Sequence, residues 1–237
     1  MATSMKVTVI QPDPLVPLDR LTALLAGHGV SMRLIPLWER DLPPVGEFDG
    51  GVIVLGGRMS AHDRDEHPWI DPLSGLLRSL VAADVPTLAI CLGHQLLAEA
   101  LGGRVEVAHP GGGEHGPAEI TWTAVAATDP VVAAVAADAT SWVAESHHDA
   151  VVELPPGATL LAGNDAYPNQ AFRVGSALGV QFHPEASPWL MGRWARLRGD
   201  DEGLMQAAMK ARDADVARTG RLLTAGFCRQ LRSRLVA

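Results

Sequence analysis

The feature that most limits what this chain can fold into is residues 85–103, VPTLAICLGHQLLAEALGG, where a short apolar run passes through Cys91 directly into a helical pattern. Val85–Ile90 is apolar throughout, as in a strand buried on both faces of a parallel sheet. After Cys91, Leu92, Leu96, Leu97, Ala100 and Leu101 share one helical face, and Gly102-Gly103 supplies the stop. A strand meeting a helix with no loop between them makes a tight elbow. A side chain on that elbow is held away from the backbone at the C-terminal edge of the sheet, and the small residues Ala89 and Gly93 leave room around it.

The rest of the chain agrees with an α/β sheet. Lys6–Gln11 reads as a strand, Leu15–Gly27 as a helix and Met32–Leu37 as a second strand closed by Pro43-Pro44, a βαβ opening. Gly51–Leu55 is another buried parallel strand ending in Gly56-Gly57, and Trp69–Ala83 has helical spacing. Between Arg104 and Phe182 the pieces are shorter, among them Glu119–Ala124, Thr159–Ala162 and Ala177–Phe182, which predicts antiparallel strands added to a mainly parallel sheet. From Pro188 the pattern becomes helical, with Val216, Leu223, Phe227 and Leu231 on one stripe of an amphipathic tail helix. No repeat or linker divides the 237 residues, so one domain over 1–237 with a helical extension from about 188 is expected.

Composition excludes several classes. A formal charge of -8 opposes a nucleic-acid partner, which calls for clustered positive charge. No run approaches the ~20 apolar residues of a membrane span, and MATSMKVTVIQ has no signal-peptide pattern, so a cytoplasmic, membrane-free protein is expected. Two cysteines, Cys91 and Cys228, are too few for a disulfide framework.

The chemistry concentrates in two places. At the elbow, the N–H groups and positive dipole end of the helix favour a Cys91 thiolate and can donate to an oxyanion formed when sulfur attacks a carbonyl. In GVQFHPE, an apolar strand ends at His183, Pro184 stops the ladder and Glu185 follows. The imidazole can take a thiol proton and return it to a leaving amine, while the carboxylate fixes its tautomer and supports its charged form.

These segments, ICLGHQLLA and GVQFHPE, resemble the two signatures of the class I glutamine amidotransferases. GGRMS at 56–60 is similar to the family's oxyanion loop, and SHHDAV at 146–151 is similar to the pocket loop of the branch related to GMP synthase glutaminase domains. The similarity covers about Lys6–Glu185. It implies a flavodoxin-like three-layer sandwich, with Cys91 as nucleophile, His183 as base and acid, and Glu185 as orienting carboxylate. It also implies backbone oxyanion donors at Gly57 and Leu92, and substrate contacts from Gln95, Ser146, His148 and Asp149. The family often has Gly where Ala89 stands and Pro or Gly in place of Arg58. Arg58 therefore puts a cation near the pocket mouth, and substrate choice is what these departures bear on.

Other signals are set aside. GGGEHG at 111–116 matches a dinucleotide pattern but lies between His109-Pro110 and Pro117, and is read as a flexible loop. His109, His115 and the His147-His148 pair lack the companions of a zinc motif, so neither metal nor cofactor is expected. His62 and His67 read as part of a solvated loop, Cys228 as a packed thiol, and Arg229, Arg232 and Arg234 as a solvated helix face.

The leading expectation is hydrolysis of the glutamine side-chain amide through a γ-glutamyl thioester, giving glutamate and ammonia. The chain has no G-x-x-x-x-G-K-[ST] motif, so the ammonia is expected to pass to a separate synthetase subunit. The alternatives are hydrolysis of other γ-glutamyl amides or peptides by the same triad, and a catalytically silent regulatory protein, against which the intact Cys91, His183 and Glu185 argue.

Overall fold

In the computed structural model, which describes residues 5–48 and 50–235, four parallel strands converge on one edge and there present the residues of interest. They are β1 (Met5–Gln11), β3 (Gly51–Val54), β4 (Thr87–Ile90) and β11 (Ala177–Val180). With β2 (Val30–Pro36) on the outer side they form the parallel half of a nine-stranded sheet. Beyond β11 the pairing becomes antiparallel through β10 (Ala171–Val174), β9 (Thr159–Gly163), β6 (Glu114–Trp122) and β7 (Thr140–His147). The resulting order is β2-β1-β3-β4-β11-β10-β9-β6-β7. A small antiparallel pair, β5 (Arg104–Glu106) with β8 (Ala150–Glu153), stands apart.

The side-chain alternation of the strands explains why helices cover both faces. Ile53, Leu55, Leu88 and Ile90 point into one core with Leu21 and Leu25 of α1 (Arg20–Gly27) and with Leu223, Phe227 and Leu231 of α7 (Asp213–Leu235). Val52, Val54 and Ala89 point to the other side, against α2 (Ile70–Ala82) and α3 (Leu92–Ala100). Strands greasy on both sides need two helical layers, and the mixed α/β sandwich follows.

Several expectations shift. The helix foreseen from Leu15 begins only at Arg20, because Pro14 and Pro17 hold the preceding segment in turns and Asp19 sits at φ 39. The loop expected at 111–116 is partly ordered strand. Glu114, His115 and Gly116 pair with His147, Ser146 and Glu145, so cross-strand bonding overrides a glycine-rich composition. The tail is three helices, α5 (Pro188–Arg198), α6 (Glu202–Ala211) and α7, because Gly199 caps α5 in a left-handed conformation at φ 93 and Arg212 closes α6. Val216, Leu223, Phe227 and Leu231 do form the buried stripe of the last helix. Among the described residues, no helix is long and apolar enough to cross a membrane.

Candidate active site

Strand β4 delivers Cys91 as the N-cap of α3 at φ 51, ψ -106, a conformation a non-glycine residue adopts only at some cost. Its backbone is locked by Cys91 N–H donating to the Val180 carbonyl at 2.9 Å and Gln95 N–H donating to the Cys91 carbonyl at 3.0 Å. The helix can approach this closely because Gly93 has no side chain: a Cβ there would lie 2.5 Å from the Val54 carbonyl oxygen. Leu92 is the first residue of α3, so its N–H has no carbonyl four residues back to bond within the helix.

The chain after β11 carries His183 to the same edge, where its N–H donates to the Ala144 carbonyl at 2.8 Å. His183 Nδ1 and Glu185 Oε1 are 2.7 Å apart and both side chains are buried. A carboxylate that close directs the Nδ1 proton toward itself and turns Nε2 outward. Cys91 and His183 flank Gly56, where a Cβ would come within 3.3 Å of the Cys91 Cβ and 3.1 Å of the His183 Cε1. Burial alone would push the His183 imidazole down, but the Glu185 carboxylate and the hydrogen-bonded Cys91 sulfur outweigh it and hold the ring well above the usual imidazole range. A cationic ring beside sulfur is the environment that favours thiolate chemistry. Trp194 of α5 backs the imidazole with ring centroids 4.6 Å apart, its indole N–H anchored on the Leu15 carbonyl at 2.8 Å.

These groups open on a cavity of about 450 Å3 lined by Gly57, Arg58, Cys91, Gln95, Ser146, His148, Asp149 and His183, among others. Leu92 lies beside it, its side chain next to Gly57. Gln95 Nε2 donates to the Asp149 carbonyl at 2.9 Å and to Gln181 Oε1 at 3.2 Å, which ties the first turn of α3 to the 146–149 turn. The Ser146 carbonyl lies 4.0 Å from the Cys91 Sγ. Its hydroxyl accepts from Arg198 at 2.9 Å. The Asp149 carboxylate is occupied by the Ala108 N–H at 2.9 Å, and His148 Nε2 stands 3.2 Å from His115 Nε2.

Several contributors were not foreseen. Asp13, fully buried, accepts from the Arg58 N–H at 3.1 Å, the Arg58 Nε–H at 2.7 Å and the Leu15 N–H at 2.9 Å. It thereby pins the 56–60 loop to the end of β1. Arg58 reaches the cavity wall as expected, but its charge is committed to Asp13. Trp194 and Arg198 come from α5, a helix whose sequence carries no chemical signal. Glu145, His147 and Glu114 cluster just behind the Ser146 turn, and burial, reinforced by Glu114, pushes the Glu145 carboxyl well above the usual carboxylate range. His94 packs on Phe172, where burial lowers its pKa to about 3, so it is a neutral core ring. Cys228 is buried in the core, and that burial pushes its thiol up to about 11.

A strained Cys at a strand-to-helix elbow, a buried His–Glu pair beside it and a glycine loop opposite form an arrangement suited to acyl transfer from an amide. Known proteins with related sequences and folds agree with it. The first-named of the subunits of the glutamine-hydrolysing GMP synthase from Halobacterium salinarum is 35% identical over 155 residues, covering 65% of this chain and 75% of that protein. Its counterpart from Haloarcula marismortui is 36% identical over 165 residues, covering 68% and 75%. The structure of a glutamine amidotransferase from Thermotoga maritima superposes with a TM-score of 0.83 at 24% identity over 95% of this chain and 98% of that one, which establishes the shared fold. The family model for glutamine amidotransferase class-I matches residues 29–193, and the chain belongs to the class I glutamine amidotransferases.

Proposed function

We propose that the chain hydrolyses the side-chain amide of glutamine through a γ-glutamyl thioester on Cys91, with His183 and Glu185 completing the triad. The observation that carries this is the buried His183–Glu185 pair, 2.7 Å apart, set beside the elbow cysteine at the wall of the cavity. The Cys91 thiolate attacks the amide carbon, and the oxygen that gains charge takes the N–H groups of Gly57 and Leu92. His183 gives its proton to the nitrogen as the C–N bond breaks, releasing ammonia and leaving the thioester. The neutral His183 then takes a proton from water, whose oxygen attacks the thioester. Collapse of that intermediate expels the thiolate and frees glutamate. Gln95, Ser146, His148 and Asp149 line the amino-acid end of the pocket, largely through backbone groups.

Because two relatives carry the name of one subunit of GMP synthase, the ammonia is proposed to go to a separate synthetase subunit. In Thermus thermophilus, the matching 138 residues are 24% of a longer GMP synthase chain, which fits a division of labour between two modules. A cavity of about 450 Å3 is within the range for ligands of drug size and favours, as a second reading, hydrolysis of larger γ-glutamyl amides. The test is ammonia release from glutamine against amine release from γ-glutamyl compounds, with and without a GMP-forming synthetase subunit. Glutamine turnover raised by that subunit supports the first reading, and faster cleavage of another γ-glutamyl amide, unaffected by any partner, supports the second.

A further inference from the structure

Behind the 146–149 turn, three side chains from two adjacent strands converge on one point. Glu114 of β6 and His147 of β7 are direct cross-strand partners, and Glu145 lies two residues before His147, hence on the same face. The geometry points to a divalent metal site, of the zinc class, made by Glu114, Glu145 and His147.

Four observations carry the inference. One ligand atom from each residue lies within 4.8 Å of the others. His147 Nε2 stands 3.2 Å from Glu114 Oε2 and 3.5 Å from Glu145 Oε2, close to the ~3.3 Å edge of a tetrahedron whose metal–ligand bonds are ~2.0–2.1 Å. His147 Nδ1 faces the Asp149 carbonyl at 3.0 Å. A carbonyl can only accept, so that nitrogen carries the proton and Nε2 can offer a lone pair, the arrangement that orients ligating histidines. Finally, Glu145 is fully buried, and among the described residues no donor reaches either of its oxygens at hydrogen-bonding geometry. Glu114, by contrast, is oriented by Asn164 Nδ2 at 2.8 Å on one oxygen and by Gln170 Nε2 at 2.6 Å on the other, which are outer partners of the kind that aim a ligating carboxylate.

Three lone-pair atoms from two carboxylates and an imidazole suit zinc, with a fourth position left for water. His147 lines the active-site cavity, which gives the ion a route in. Ser146, between two of the ligands, presents its carbonyl toward Cys91, so an ion bound here braces the strand end that forms one wall of that cavity. The site uses none of the triad and stands apart from the amidotransferase reading.

The experiment is calorimetric titration of Zn2+ into the chelator-treated Cys91→Ala chain, which removes the catalytic thiol as a competing ligand. About one ion per chain should bind, Co2+ should give the visible absorption of a tetrahedral site, and Glu145→Gln should weaken Zn2+ binding at least ~100-fold. His147→Gln should do the same, which guards against misfolding of one variant, and Asn164→Ala should weaken it ~10-fold by releasing Glu114. Absence of stoichiometric Zn2+ uptake, or an affinity unchanged by both ligand substitutions, would overturn the proposal and leave Glu145 as a neutral buried acid.

Discussion

Replacing Glu185 by Gln keeps the size of the side chain and an oxygen for His183 Nδ1, but removes its charge. The lost interaction is a buried contact of 2.7 Å between groups that are 2 % and 0 % exposed, so solvent screens it little. A hydrogen bond to a charged partner is worth about 1.5–3 kcal/mol. At about 1.36 kcal/mol per factor of ten, kcat/KM for glutamine should fall about 10- to 150-fold. The pH profile should change too. Glu185 is the first of the influences that hold the His183 proton against the pull of burial, and the wild-type ring keeps that proton above the usual imidazole range. Without the carboxylate the proton is lost at lower pH, and the protonated ring is what delivers a proton to departing ammonia. The alkaline limb of kcat/KM should therefore move down in pH. Single-turnover ammonia release across pH, with thermal unfolding to establish that the variant is folded, measures both effects. Inactivity as complete as that of Cys91→Ala would refute the orienting role of Glu185, and an unmoved alkaline limb would refute the electrostatic argument.

Two structural predictions accompany it. Gly93→Ala puts a Cβ 2.5 Å from the Val54 carbonyl, so α3 must shift; about 1–3 kcal/mol of overpacking should lower the unfolding midpoint by about 2–4 °C for each kcal/mol, and an unchanged midpoint would show that the elbow is looser than described. Asp13→Ala should lower kcat about 10-fold or more by freeing the loop that carries the Gly57 donor. Arg58→Ala should cost less, since its side chain is 57% exposed while Asp13 is fully buried, and equal losses would assign the effect to Arg58's charge.

Much of the site was legible because its chemistry is written in local segments. Cys91 and the His183–Glu185 pair each sit where an apolar strand breaks into a turn, and both breaks show in sequence as a change of pattern at a reactive residue. The alternation of Val52 and Val54 against Ile53 and Leu55 likewise announces a strand covered on both faces. What stayed hidden depends on pairing at a distance. Asp13 meets Arg58 across 45 positions, and no local pattern tells a loop aspartate from a buried anchor. Glu114, Glu145 and His147 meet only through the β6–β7 register, and Glu114 lies in a glycine-rich stretch that composition assigns to a loop. Strand β7, TSWVAESH, mixes its polar and apolar positions because Glu145 and His147 face an interior polar cluster, so it lacks the alternation of a half-exposed strand. The tail divides into three helices because of one left-handed glycine and one short junction, which a stripe of apolar residues does not reveal.

Whether Cys91 is the nucleophile toward the glutamine amide is tested most directly by brief exposure to a chloroketone analogue of glutamine, followed by peptide mass mapping of both cysteines. Cys91 lines the cavity beside a cationic histidine, whereas Cys228 is packed in the core with its thiol pushed up to about 11. One adduct per chain is predicted, on Cys91, suppressed by excess glutamine and lost in His183→Ala. Label chiefly on Cys228, or on Cys91 at a rate indifferent to glutamine and to His183, would contradict that role.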